Sequence, residues 1–283
     1  MIRLATEMPN ICLNTHGNLF NYEFCLTHMA EQSNEYLEFY LNQNKKGRLV
    51  ILDNSVFELG KSVSPERIWN VYLKFERKDM VVLVCPDVFG NGLESIKKTN
   101  EFIDWVRIQS TLDVNGKKFC KMPRLMAVAQ GKDWDEWYHC YCTFADMKEI
   151  EIIGATYDIE FDIPGYVVDF DCSLTRQQMW KRIYLFEKLL DMGELRYKWH
   201  HLLGSSDPLE LYYQSSIPQV KTMDTSIPFV EGLMGRKITE TEFLANKKNK
   251  RPKNYFDVQP TEDAIKLIEY NIKQMKLWAR GRK

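Results

Sequence analysis

What most constrains this chain is a couplet that recurs along it. A short apolar or apolar-alternating run stops at a polar residue or a glycine, and a stretch of helical period follows. The runs at 48–52, 80–85, 123–129, 149–153, 198–203 and 219–223 stop at Asp53, Pro86-Asp87, Gln130-Gly131, Gly154, Gly204 and Asp224. Nearly continuous runs such as Met80-Val81-Val82-Leu83-Val84-Cys85 suit strands buried on both faces, the condition of a parallel sheet covered by helices. The spacing predicts helices from Ser64-Pro65, over 93–109, 133–147 and 174–192, from Ser206-Asp207-Pro208, and over 262–278. Ser64 reads as an N-cap and Pro65 as the first helical residue. Residues 2–8 and 22–29 are two further candidate strands, and 33–42 is a helix that Gly47 ends. Strand–helix alternation implies right-handed crossovers in a doubly wound or closed sheet. No G-x-G-x-x-G follows the first strand, as a doubly wound dinucleotide fold would want. The polar residues instead gather at the C-terminal ends of the strands, the rim where barrel enzymes collect their catalytic groups. The expected fold is therefore α/β, a (β/α)8 TIM barrel, and 283 residues suit one such domain of about 250 with an extension. The loop of some twenty residues around Pro164 and Gly165 is long enough to be a substrate-covering insertion.

Composition narrows the class. Apolar content of 45% and charged content of 27% match an ordinary globular protein, and no apolar run of ~18 residues marks a membrane-spanning helix, so a soluble chain is expected. Residues 1–7 lack the basic-then-apolar order of a signal peptide. Seven scattered cysteines fit reduced thiols better than a disulfide framework, so a cytoplasmic protein is expected. A net charge of -1 argues against coating nucleic acid through bulk charge. The charge is nevertheless divided. Residues 236–283 hold thirteen Lys/Arg against six Asp/Glu, a balance of +7 that leaves -8 on residues 1–235. The expected organisation is one domain, with 1–235 as barrel body and 236–283 as a basic loop and C-terminal helix packed on it. Within the basic part, Lys247, Lys248, Lys250, Arg251 and Lys253 fall inside seven residues. Such a run is commonly a solvated loop, and phosphate binding is the next reading, because each contacted phosphate releases counterions.

The chemistry-bearing candidates are the strand ends. Asp224 closes a strand and is followed by Thr225, Ser226 and Pro228, so it is either a catalytic acid or part of an ordinary helix cap. Asp53 and Asp87 have the same two readings, as catalytic groups or as turn residues. Gln130 could satisfy a backbone group, Phe57 and Leu203 could be core, and Gly154 and Gly204 could allow tight turns. His200 and His201 alternate across a strand and read as structural or supporting residues. Trp134, Trp137 and Tyr138 read as helix packing. Cys140 and Cys142 beside His139 sit mid-helix, where side chains two apart diverge, so no metal is expected there.

Taken in order, these strand ends resemble the tRNA-guanine transglycosylase superfamily, barrel enzymes that exchange guanine in a polynucleotide for a 7-deazaguanine base. The family's Asp-Ser-Gly-Gly-(Phe/Tyr)-Gln segment is similar to Asp53-Asn54-Ser55-Val56-Phe57-Glu58, and its next strand-end aspartate is similar to Asp87. Its Val-Gln-Gly resembles Ala129-Gln130-Gly131, its Gly-rich strand end Gly154, and its Leu-Met-Gly Leu202-Leu203-Gly204. Its nucleophilic aspartate resembles Asp224. The family's paired glycines are replaced by Ser55 and Val56, and its zinc cluster is absent, since no Cys or His follows His201. That zinc-free form resembles the phage-type branch acting on DNA. The resemblance implies that Asp224 is the nucleophile and Asp53 the acid and base, with Asp87, Gln130 and Gly154 addressing the guanine edge. Phe57 would stack on the base and Leu203 would lie beneath it, with Gly204 beside it. It further implies no cofactor, a free 7-deazaguanine base as co-substrate, DNA as the polymer with tRNA as the alternative, and a monomer at least as readily as the family's dimer. A non-catalytic, nucleic-acid-binding partner subunit is the other class of function, disfavoured because acids stand at both catalytic positions.

Overall fold

The strands appear where the apolar runs place them. In a computed structural model, which describes residues 1–111, 113–114, 117–118, 122–168, 173–205, 207–239 and 251–281, eight strands form one parallel sheet. They are β1 (Arg3–Ala5), β2 (Glu23–Leu26), β3 (Val50–Asp53), β4 (Val81–Val84), β5 (Arg124–Ala129), β6 (Ile150–Thr156), β7 (Trp199–Leu203) and β8 (Val220–Asp224). Their order in the sheet is β1-β8-β7-β6-β5-β4-β3-β2, so β2 to β8 follow one another as in the sequence and β1 lies against β8, the last strand. That is the strand order of a (β/α)8 barrel. The principal helices between them are α1 (Asn34–Lys45), α2 (Pro65–Tyr72), α3 (Gly92–Thr111), α4 (Trp134–Asp146), α5 (Leu174–Asp191) and α6 (Glu210–Gln214), with shorter ones over Thr27–Gln32 and Val56–Leu59, and α7 (Ile227–Leu233) and α8 (Glu262–Trp278) follow β8. After β1 comes a single helical turn, Leu13–His16, flanked by 3-10 turns over Asn10–Cys12 and Gly17–Leu19.

The chain divides into two compact units, one of residues Tyr22–Gly154 and one of Met1–Asn21 with Ala155–Lys283. In the Tyr22–Gly154 unit, β2 to β5 carry α1 to α4. Val50, Ile51, Leu52, Val81, Val82 and Leu83 are fully buried, as the unbroken apolar runs require. Ser33 caps α1 by accepting the Tyr36 N–H, and Asp133 caps α4 by accepting the Glu136 N–H. Pro65 begins α2 as expected, but the Ser64 side chain makes no cap bond. Trp134, Trp137, Tyr138 and Tyr141 stack along α4, and the Trp137 indole N–H donates to the Ala129 carbonyl at 3.1 Å. These rings pack the helix, as the sequence suggested. Gly131 is required there, because a Cβ on it would lie 2.3 Å from the Trp137 backbone nitrogen.

In the other unit, β1, β7 and β8 are joined by the end of β6, with α5 to α8 around them. The strand expected to stop at Gly154 continues to Thr156. A buried glycine keeps its backbone donor and acceptor and so need not end a strand that remains paired. Helix α8 lies against α7 at Gly232, where a Cβ would fall 2.5 Å from Ile268 Cγ1. Asn271 of α8 donates to the carbonyls of Pro228 and Arg236 and accepts the Ile238 N–H. The Ile2 N–H donates to the Ala279 carbonyl at 2.9 Å. The described part of the C-terminal segment is thus built into this unit by buried hydrogen bonds. No described helix is long and apolar enough to cross a membrane.

Candidate active site

Two clusters of buried polar side chains sit at strand ends, one in each unit. In the Tyr22–Gly154 unit, β3 delivers Asp53 and Asn54, β4 leads to Asp87, and β5 leads to Gln130. All four are buried, Asp87 to 2% exposure. Asn54 Nδ2 donates to Asp87 Oδ1 at 2.7 Å and to the Cys85 carbonyl at 2.7 Å, while Gln130 Nε2 donates to Asp87 Oδ2 at 2.8 Å. The Gln130 Oε1 accepts the Gly90 N–H at 3.3 Å, so both ends of that amide are engaged. Burial pushes the Asp87 carboxyl up to about 6, against the opposing pull of its two amide donors. Asp87 is therefore an acid that titrates close to neutrality, held in one rotamer from both sides.

Asp53 is fixed differently. Its Oδ2 accepts the Ser55 N–H at 2.6 Å, an Asx turn, and its carbonyl accepts the Thr27 hydroxyl at 2.5 Å. Ser55 has the left-handed φ of 61° that a glycine would take, at a cost of about 1 kcal/mol. Its hydroxyl accepts the His28 N–H at 3.3 Å, which helps hold that conformation. The departure from paired glycines thus leaves a glycine-like backbone at Ser55. Beyond this turn Phe57 is 55% exposed and meets Phe89, 43% exposed, edge to face at 6.4 Å. Phe89 sits on a loop pinned by Ser62, Ser95, Gln130 and Glu136 through hydrogen bonds to the backbone of residues 87–92. Two aromatic rings are therefore displayed by firmly held turns. Gly154 is buried in the middle of β6.

In the other unit, Asp224 closes β8 and is 4% exposed. It does not cap the helix after it, because the Thr225 hydroxyl takes the Ile227 N–H at 3.1 Å. Asp224 Oδ1 instead meets His201 Nε2 at 3.0 Å and accepts the Gly204 N–H at 3.1 Å. His201 Nδ1 in turn meets the Thr222 hydroxyl at 2.9 Å. Both bonds to the carboxylate fall on Oδ1, and Oδ2 takes none from a described residue. His200 points the other way, edge to face with Phe186, and burial lowers its pKa to about 4. The alternation of the two histidines separates a ring that supports Asp224 from one that packs. Gly204 has φ +62°, and a Cβ there would lie 2.7 Å from Tyr157 Cδ1. Leu203 before it is half-buried.

Several residues here carry no signal in the sequence. Arg182 and Glu210 are fully buried and paired by two bonds of 2.6 Å, and Arg176 pairs with Asp207 at 2.7 Å. Burial raises the Asp207 carboxyl to about 6, with Arg176 opposing. A charged residue on a helix reads as solvent-facing unless its partner is known. Of the basic run, Lys247, Lys248 and Lys250 lie outside the described residues, and Lys253 is exposed. Arg251 is committed elsewhere: it pairs with buried Glu7 and lies 5.0 Å over the Tyr255 ring, whose hydroxyl donates to the Glu7 carbonyl at 2.6 Å. On α4, Cys140 is buried, and burial raises its thiol to about 12, whereas His139 is exposed. Among the described residues no group of three His, Cys, Asp or Glu side chains is placed to hold a metal.

No protein-family model matches the chain, and no curated protein sequence does. Among solved structures, N-acetylneuraminate lyase from Mycoplasma synoviae is similar with a TM-score of 0.46 and 11% identity, over 98% of each chain. No residue role follows from a likeness of that degree.

Proposed function

We propose that this chain is a base-exchange transglycosylase that replaces guanine in a polynucleotide, DNA in the first place, with a 7-cyano- or 7-aminomethyl-7-deazaguanine. The observation that carries the reading is the Asp224 carboxylate, oriented through Oδ1 by His201 and Gly204 while Oδ2 takes no bond from a described residue. A nucleophile needs one oxygen held and the other available.

In this mechanism Asp224 Oδ2 attacks C1′ of the target nucleotide, whose base has left the stack. The C1′–N9 bond breaks as Asp53 gives a proton to the departing guanine, leaving a covalent aspartyl-glycosyl intermediate. The incoming 7-deazaguanine loses its N9 proton to Asp53 and attacks C1′, and Asp224 leaves as carboxylate. Asp87 accepts the guanine N1–H and exocyclic amine through lone pairs that Asn54 and Gln130 do not use, since a carboxylate offers about four acceptor positions. Gln130 addresses the O6 side with the Nε2 proton that Asp87 does not take. Phe57, joined by Phe89, offers a face for base stacking worth ~1–3 kcal/mol per base, and Leu203 is the apolar contact that the resemblance adds. Outside the site, exposed Lys253 and the neighbouring lysines 247, 248 and 250 would contact phosphates.

The test is incubation with labelled guanine or 7-cyano-7-deazaguanine and either DNA or tRNA. Label is expected in DNA, Asp224→Ala should abolish it, and quenched wild-type reactions should contain a denaturant-stable protein–DNA adduct. Label in tRNA alone would move the polymer assignment. Label in neither would sink the reading.

A further inference from the structure

Arg182 of α5 spends all five of its N–H donors inside the protein. Nε and one Nη2 proton reach the two carboxylate oxygens of Glu210 at 2.6 Å. The Nη1 protons reach the carbonyls of Ala155 and Leu203, each at 2.9 Å, and the other Nη2 proton reaches the Gly204 carbonyl at 2.8 Å. Guanidinium and carboxylate are both fully buried. One guanidinium therefore ties the C-terminal ends of β6 and β7 together.

The Leu203 carbonyl belongs to the same peptide unit as the Gly204 N–H, and that N–H donates to Asp224 Oδ1 at 3.1 Å. A planar trans peptide points its C=O and N–H in opposite directions. With the oxygen held by Arg182, the N–H can only face Asp224. A cation at the oxygen also polarises the amide and strengthens its N–H as a donor. Gly204 allows the left-handed turn this needs, and Tyr157 closes the space a side chain would occupy.

We infer that Arg182, clamped by Glu210, is a positioning residue that sets the Leu203–Gly204 peptide so that its N–H orients the carboxylate of Asp224. The pair is not explained by stability alone, because hydrophobic residues of similar volume in place of a buried ion pair are often neutral or stabilising. Lysine could not replace arginine, since an ammonium has three donors and no planar fork. The inference deepens the transglycosylase reading and rests on it for its catalytic consequence.

The experiment uses Arg182→Lys and the double variant Arg182→Met with Glu210→Met. Each is read for melting temperature, exchange of the Gly204 amide proton by NMR, and the kcat and KM of base exchange. The double variant leaves the Ala155, Leu203 and Gly204 carbonyls without their donor and is expected to melt below wild type while still folding, with Gly204 exchanging at least tenfold faster. Its kcat should fall at least tenfold while KM for the polymer stays within threefold. If it does not fold, the same comparison is read in Arg182→Lys. A folded variant with wild-type kcat, or with Gly204 still protected, overturns the inference. Faster Gly204 exchange in a chain whose wild type incorporates no base would retain the positioning role and remove the transglycosylase reading instead.

Discussion

Replacing Asp87 by Asn isolates the cost of keeping a carboxylate at the end of β4. The residue is 2% exposed, and burial moves its carboxyl from 3.8 to about 6. A raised acid pKa means that the folded state binds the proton more tightly than the unfolded chain. The stability due to the neutral acid is then fully present below pH 3.8 and is lost as pH rises through 6. The shift corresponds to about 3 kcal/mol in all, and roughly half of it falls between pH 5 and 7.5. Asparagine has the same shape and no such term. Its amide would set one donor against Asn54 or Gln130, a cost of about 1–3 kcal/mol that hardly changes with pH. Urea unfolding of wild type and Asp87→Asn at half-unit steps over that range should therefore show two curves converging as pH rises. The difference should change by about 1.5 kcal/mol in favour of the variant. Parallel curves would refute the reasoning, because Asp87 would then titrate alike in both states. On the proposed function, base exchange by wild type should rise with pH through about 6 and lose that rise in the variant, since only the carboxylate accepts both guanine donors.

Three further outcomes follow from the geometry. Gly204→Ala forces a Cβ to 2.7 Å from Tyr157 at φ +62°, so it should cost about 2–4 kcal/mol by thermal melting and depress base exchange further than the stability loss explains. His200, lowered to about 4 by burial, contributes stability that is present above pH 6.5 and is lost as pH falls toward 4; His200→Leu should flatten that acid limb, worth up to about 3 kcal/mol, in urea midpoints taken from pH 7 to 4.5. Arg251→Ala leaves Glu7, 6% exposed, without its cation and should lower stability by about 2–3 kcal/mol by urea denaturation at neutral pH, an effect unchanged by added polynucleotide.

The strands and helices were legible because each rests on a local pattern. The run Met80 to Cys85 cannot face water on either side, and its product is a strand buried throughout. Ser33, Asp133 and Pro65 act over one helical turn, so the ends they set are close to those expected. β6 runs through Gly154 because a glycine breaks a strand only where the strand around it loses its partners. Asp53, Asp87, Gln130 and Asp224 stood out because a polar residue that ends an apolar run is placed by that run.

What no local pattern contains is the identity of a distant partner. Asn54 reads as part of a turn until Asp87, 33 residues on, comes to its amide at 2.7 Å. Arg251 reads like the lysines beside it until Glu7, 244 positions away, takes its charge. Arg182 and Glu210 look like surface charges on two helices, and their complete burial follows from how those helices meet the ends of β6 and β7. The sequence by itself thus determined which segments are strands and helices, and which residues end them, since hydrophobic period and capping act within a few residues. Tertiary structure alone decided which polar groups are buried together, because burying a charge is tolerated only where folding has already supplied its counter-charge and its hydrogen bonds.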